Sequence, residues 1–250
     1  MKHFALFVAL AVLGFCRGAY AQTDEFGSYV NTKGTRRGES SQDAAVELRF
    51  GRYVPNIDKS VPGAPYQDVF GSSNRYIFGL EGDWQLIRFP HLGTLGPGLG
   101  WGYTRATGKA RITTTGLPSA EDTALSVMPF YLVGVLRADV FARELNVPIV
   151  PYAKLGIGYA LWWASDGGVT SREDGVLGRG ISYGPQYAIG AMFLLDELDQ
   201  QTARDADNSL GINHSYIFGE LYNSNLSGFG SKSRLDVGTS SWVLGLALEF

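Results

Sequence analysis

Trp242-Val243-Leu244-Gly245-Leu246-Ala247-Leu248-Glu249-Phe250 ends the sequence and decides its fold class. Trp242, Leu244, Leu246, Leu248 and Phe250 share one parity, and Val243, Gly245, Ala247 and Glu249 share the other. Side chains alternate faces along a strand, so one face is wholly apolar and the other is small or charged. Nothing follows Phe250 to cover the apolar face. A soluble protein gains little from such an ending, whereas a transmembrane barrel strand needs it.

The opposite end fits export. Met1-Lys2-His3 is a short basic start, and an apolar run from Phe4 to Phe15 follows it. Ala19-Tyr20-Ala21 offers small residues at the spacing a signal peptidase reads, with Gln22 as the first mature residue. The apolar run is shorter than the ~20 residues a membrane helix needs. Leu13-Gly14-Phe15-Cys16 could be read as a lipoprotein signal, but bulky Phe15 stands where a small residue is expected. The expected organisation is a signal peptide over 1–21, a flexible segment over 22–41 and a barrel over 42–250.

Cleavage removes Cys16, so the mature chain forms no disulfide. It also removes Lys2 and Arg17 and no acid, which moves the formal charge from −3 to −5. No clustered basic face suggests a nucleic-acid partner. The remaining 229 residues (250 − 21) suit one domain. The 33 glycines and 13% aromatics fit strands, turns and interfacial Tyr and Trp. No stretch beyond the signal is apolar for long enough to be a membrane helix.

Alternation predicts eight strands. Over about 43–53, Val46, Leu48 and Phe50 oppose Glu47 and Arg49. Over about 75–89, Tyr76, Phe78, Leu80, Trp84 and Leu86 point outward, with Glu81, Asp83 and Gln85 inward. The third strand, about 93–107, sets Leu95, Leu99, Trp101 and Tyr103 against Gly96, Gly98, Gly100 and Gly102. Such a glycine column suits a narrow, crowded barrel interior. The fourth, about 124–136, is apolar on both faces, and Pro129 with Val127, Val133 and Val135 favours strand over buried helix. The fifth, about 149–163, turns Lys154, Gly156, Gly158 and Ala160 inward. The sixth, about 181–194, does the same with Ser182, Gly184, Gln186, Ala188 and Gly190. The seventh, about 211–222, has an ambiguous phase, because Glu220 shares parity with Tyr216 and Phe218. The eighth covers about 237–250.

Connection lengths follow the outer-membrane pattern of long external loops and short periplasmic turns. Val54–Asn74, Gly108–Thr123, Ala164–Gly180 and Asn223–Asp236 are long and polar, and Pro90-His91-Leu92 is short. Arg137–Pro148 and Leu195–Leu210 are longer than that pattern allows and read as helical periplasmic caps. The fold class is therefore an all-β, antiparallel, up-and-down transmembrane barrel of about eight strands.

Gly245, Leu248 and Phe250 resemble the C-terminal assembly signal of Gram-negative outer-membrane barrels. Three further stretches resemble an uncharacterised family of small bacterial outer-membrane β-barrel proteins: Phe141 to Pro148, Tyr152 to Tyr159 and Gly211 to Tyr216. The resemblance implies a fold and an address, the cell outer membrane, with its lipids and the barrel-assembly machinery as partners. It brings no activity, and an extracellular ligand or protein stays unspecified.

Candidate chemistry is sparse. Barrel hydrolases use a Ser beside a His and an acid or amide, and the only such grouping is Asn213-His214-Ser215 with Glu220. His214 and Glu220 would lie about 20 Å apart along one strand, and Ser215 faces the other way. The blander reading makes His214 an interfacial residue beside the girdle aromatics Tyr216 and Phe218. His91 and His214 are the only mature histidines, and no acidic run follows a calcium-loop pattern. Asp166-Gly167-Gly168 reads as a turn, and Gly96 to Gly100 match no phosphate-loop fingerprint. No cofactor is expected.

Glu47, Arg49, Glu81, Asp83, Lys154 and Glu249 would converge inside the barrel, where charges are tolerated when paired. Eight strands leave an interior that side chains fill, so an open pore is not expected. The leading expectation is a non-enzymatic outer-membrane barrel with an envelope structural or surface-interaction role. The alternatives are a small channel or transporter for ions or solutes, and a lipid-modifying barrel hydrolase. A soluble lipocalin-like barrel would need the apolar faces turned inward.

Overall fold

The computed structural model describes residues 44–73, 75–110, 119–173, 175–196, 201, 205, 209–231 and 234–250. The signal segment 1–21, its cleavage residues Ala19, Ala21 and Gln22, and the segment 22–41 lie outside them. So do 197–200, 202–204 and 206–208 of the expected cap, in which Gln201, Asp205, Ser209 and Leu210 are helical.

Eight long strands follow one another around a closed antiparallel sheet. They are β1 (Ala44–Arg52), β2 (Tyr76–Trp84), β3 (Gly93–Gly108), β4 (Thr123–Arg137), β5 (Ile149–Asp166), β6 (Arg179–Leu194), β7 (His214–Ser224) and β8 (Thr239–Glu249). Each pairs with its sequence neighbours, and β8 pairs with β1 from Ala45↔Glu249 to Gly51↔Val243, which leaves no open edge. Closure pairs the first strand with the last, so the barrel has no edge strand left without a neighbour. At the seam, the Phe250 N–H donates to the Ala44 carbonyl at 2.8 Å.

The alternation read from the sequence is the alternation of burial. In β5, Leu155 is 70% exposed while neighbouring Lys154 is 3% exposed. In β8, Val243, Ala247 and Glu249 are buried, and Leu244 and Leu246 are exposed. The doubtful fourth strand is a strand, buried at Val127, Tyr131, Val133, Val135 and Arg137.

Several details differ from expectation. The second strand is interrupted, because the register shifts by one residue between Asp83↔Gly98 and Ile87↔Leu95. This bulge ends β2 at Trp84, and a short segment, Ile87–Phe89, continues along β3. The third long connection is largely an extended hairpin: Asp166 pairs with Val169 around Gly167 and Gly168, both at positive φ. The eighth strand begins at Thr239, and Val237 is a buried residue of the preceding loop. The phase of β7 puts Tyr216, Phe218, Glu220 and Tyr222 inside. Tyr216 and Phe218 are therefore not girdle aromatics, and His214 meets the inward Tyr216 ring edge to face, with centroids 6.0 Å apart.

One end of the barrel carries the turn at 90–92, the connection with α3 (Val140–Glu144) and the 195–213 connection; this is the turn end. The other, the loop end, carries α1 (Ile57–Ser60) and α2 (Pro65–Phe70) in the first loop, and the 225–238 segment in the last.

Candidate functional site

The lumen is the richest chemistry in the molecule. Along β1 the inward positions are Ala45, Glu47, Arg49 and Gly51. The register sets Glu81 opposite Glu47, Asp83 opposite Ala45 and Glu249 opposite Ala45 from the other side. Lys154 enters from β5, Arg137 from the end of β4 and Glu220 from β7, all buried.

These groups form one network. Arg49 binds Glu47 at 2.6 Å, Glu81 at 2.9 Å, and Glu220. Lys154 Nζ lies 2.7 Å from both Glu47 and Glu81 and 3.7 Å from Glu220. Arg137 joins Asp83 at 2.7 Å, Glu47 at 3.3 Å and Glu249 at 3.7 Å. Five carboxylates thus face three cations. Tyrosine hydroxyls stabilise the surplus: Tyr131 donates to Glu81 at 2.7 Å, Tyr152 to Glu220 at 2.9 Å and Tyr216 to Glu249 at 2.8 Å. Gln85 donates to the other Glu249 oxygen. Hydrogen bonds to ionised acceptors are about twice as strong as neutral ones, which keeps such a cluster tolerable away from water.

The glycine column makes room for this arrangement. A Cβ on Gly100 would lie 2.0 Å from the Tyr131 ring, and one on Gly245 would lie 2.5 Å from the Phe218 ring. Tyr152 and Phe218 meet edge to face, with centroids 6.3 Å apart. The Lys154 ammonium lies 5.0 Å from the Tyr152 centroid, and the Arg49 guanidinium lies 5.6 Å from that of Phe218.

Towards the loop end the filling turns apolar. Tyr53, Ile57, Tyr66, Ala106, Leu125, Val127, Ala160, Leu226 and Val237 form one buried cluster. The first and last loops supply its lid. The Asn56 N–H donates to the Gly238 carbonyl at 2.8 Å, Thr239 Oγ1 donates to the Val54 carbonyl at 2.9 Å, and Tyr53 donates to the Val237 carbonyl. Asp58 accepts the backbone N–H groups of Tyr66 at 2.7 Å and Gln67 at 3.0 Å, tying α1 to α2. Burial pushes the Tyr66 phenol above its ordinary pKa, against a smaller opposing pull from Arg75. Between the two fillings is a cavity of about 30 Å³, lined in part by Arg49, Gly79, Gly102, Tyr131 and Tyr222. That volume holds one or two waters.

The sequence-derived lumen charges Glu47, Arg49, Glu81, Asp83, Lys154 and Glu249 all enter the network. Arg137, Glu220 and the three tyrosines were missed. Arg137 reads as the start of the connection to Pro148, whereas it is the last residue of β4 and points inward, and the aromatics at Tyr216 and Phe218 hid the phase of Glu220. The carboxylates of Glu47, Glu81 and Asp83 come within 4.8 Å of one another. All three are already paired, with Lys154 and Arg49 on Glu47 and Glu81 and with Arg137 on Asp83 and Glu47. His214 and Ser215 fall on opposite faces: the His214 ring lies 2.6 Å from Asp196, whose other oxygen accepts the Ser215 backbone N–H at 3.0 Å. His91 lies 2.9 Å from Glu144 at the turn end, far along the chain from His214. Gly245, Leu248 and Phe250, the residues of the expected assembly signal, lie on and just beyond β8, where Gly245 faces Arg49 across the seam.

The outer surface is the complement of the lumen. Phe78, Leu99, Leu132, Leu155, Ile157, Ile189, Leu221 and Leu244 stand exposed around the barrel. Nearer the loop end a band of aromatics joins them: Tyr76, Trp101, Tyr103, Phe130, Tyr159, Tyr183 and Trp242. Contiguous apolar surface of this extent marks a contact with lipid or protein.

No protein-family model and no curated protein matches the sequence. Among solved structures, the chain is similar to Ail, the attachment invasion locus protein of Yersinia pestis, seen in complex with the heparin analogue sucrose octasulfate. That match has 14% identity and a TM-score of 0.43, and covers 85% of this chain and 99% of that one. OprG, an outer membrane protein from Pseudomonas aeruginosa, matches at 12% identity and a TM-score of 0.46, covering 85% and 98%. Neisserial surface protein A matches at 12% and 0.40, covering 84% and 98%. At such levels the fold rests on the closed ladder of β1 to β8 itself.

Proposed function

We propose that this chain is a non-enzymatic integral barrel of the bacterial outer membrane, closed to solutes, that holds its loop end at the cell surface in a structural or surface-interaction role. One observation carries the reading: the barrel is apolar outside around its whole circumference while an ionic network fills the turn-end part of its lumen, the reverse of a soluble barrel. An exposed Leu155 beside a buried Lys154 states it in two residues. Each outward aliphatic gains about 1.5–3 kcal/mol from burial in lipid, and the filled lumen supports a closed barrel over a channel.

The rest of the reading belongs to export and assembly. Cleavage after Ala21 leaves Gln22 as the mature N-terminus, and Gly245, Leu248 and Phe250 engage the barrel-assembly machinery. Two measurements test the reading. Expressed in a Gram-negative host, the protein should fractionate with the outer membrane and migrate differently on gels before and after boiling. Recovery in the soluble periplasm without a mobility shift contradicts it. In planar bilayers, pure protein should show no stepwise conductance; reproducible ion steps would replace a closed barrel with a channel.

A further inference from the structure

The outward faces of the eight strands hold three charged residues among all their positions: Arg52, Arg105 and Arg179. All three stand in one row. Arg52 pairs with Tyr76, and Tyr76 stands two residues beyond the Phe78↔Tyr103 pair, which brings it level with Arg105. Arg105 pairs with Ser126, Ser126 with Trp163, and Trp163 with Arg179. The row therefore crosses β1 to β6 at the loop end, passing through Tyr76 of the aromatic band and lying just beyond its Tyr103, Trp101, Phe130, Tyr159 and Tyr183. At ~4.8 Å per strand, Arg52 and Arg105 are about 10 Å apart, and Arg105 and Arg179 about 14 Å apart.

The three are exposed, and none has an ion-pair partner among the described residues. A fourth cation joins them. Arg234 reaches out of the last loop, donates to the Ile181 carbonyl at 2.6 Å and lies 4.8 Å from the Tyr183 ring. The other rim differs. Among the described residues, no charged residue occupies an outward strand position there, and the exposed arginines Arg88 and Arg143 are matched, both to Asp139, at 2.7 Å and 3.1 Å.

A lipid-facing arginine is costly at the bilayer centre and tolerated at the interface, where its stem lies along apolar surface and its head reaches outward. A guanidinium held there with free donors matches phosphate oxygens two at a time. Resting on the outer-membrane reading above, we propose that Arg52, Arg105, Arg179 and Arg234 form a binding rim for the phosphorylated head groups of the lipid leaflet at the loop end. The sidedness of the charge then orients the barrel, with the loop end in the leaflet richer in phosphorylated glycolipid.

The test uses folded mature protein in neutral detergent, titrated with a diphosphorylated glucosamine-based glycolipid and with the same lipid after dephosphorylation, bound lipid being counted by native mass spectrometry. Wild type should retain the phosphorylated lipid, and R52Q/R105Q/R179Q should bind it at least ten-fold more weakly. R88Q/R143Q should match wild type, and the dephosphorylated lipid should bind wild type no better than the phosphorylated lipid binds the triple variant. Equal binding by the triple variant, or equal retention of both lipids, overturns the rim. The heat-dependent mobility shift is read on every sample. Shifted bands without lipid selectivity end this inference and leave the barrel standing, whereas an unshifted wild type removes both.

Discussion

Towards the turn end the lumen is packed with Glu47, Arg49, Glu81, Asp83, Arg137 and Lys154, and towards the loop end with Tyr53, Ile57, Leu226 and Val237. Both halves exclude solvent, the first by an ionic network set against the apolar cluster of Met192, Phe218, Val243 and Ala247, the second by an apolar plug. The ionic half is built wholly from strand residues whose positions the closed register fixes, so long side chains meet partners from across the barrel. The apolar half borrows from the loops, which fold inward and bury Leu226 and Val237 between strands. The difference lies in what each half can lose. A network fails when one member leaves its partners unmatched, whereas an apolar plug loses area and can partly relax.

Substitutions can break or sharpen that contrast. Lys154→Met should be the most damaging, because Glu47 and Glu81 lose a cation 2.7 Å away. About 3–5 kcal/mol should be lost in denaturant unfolding from vesicles. Adding Glu47→Gln should restore part of that loss, and a double variant no better than the single would deny the coupling. Leu226→Ala in the apolar half should cost about 2–3 kcal/mol in the same assay, the lower part of the range for buried leucine because a loop can close on the gap.

The same chemical change can then be made in both halves. Tyr131→Phe removes a donor to the Glu81 carboxylate and should cost about 2 kcal/mol. Tyr53→Phe removes a donor to the neutral Val237 carbonyl and should cost about 1 kcal/mol. Equal losses would mean that the two halves do not differ in kind. A Phe250→Ser variant acts on assembly instead, and should lower the heat-shifted fraction recovered in the outer membrane without moving the unfolding midpoint of what does assemble.

The ionic half was the more legible of the two. Glu47, Arg49, Glu81, Asp83, Lys154 and Glu249 each sit in a strand whose neighbours alternate cleanly, so parity alone turned them inward. Arg137 stands at the boundary where the apolar run ends and reads as the first residue of a polar connection, and Glu220 shares a face with two aromatics, so period two gave it no direction. In β7 the aromatics belong inside, because Gly245 and Gly190 leave space there for Phe218 and Tyr152. That complementarity crosses strands and has no local signature. The apolar plug was illegible for a similar reason: Leu226 sits in a stretch of Asn, Ser and Gly that reads as exposed loop, and Val237 reads as the start of the eighth strand. The bulge after Trp84 was equally hidden, since one extra residue leaves the pattern on either side intact.

The most direct test of an inside-out barrel is the surroundings of one outward and one inward position on the same strand. Single cysteines at Leu155 and Ala160, in a mature chain that otherwise has none, would carry a spin label in lipid vesicles. The label at Leu155 should collide freely with oxygen, which concentrates in lipid, and little with a water-soluble nickel reagent. The label at Ala160 should be shielded from both. Strong nickel access at Leu155 would place that face in water, and a membrane-spanning barrel could not be maintained.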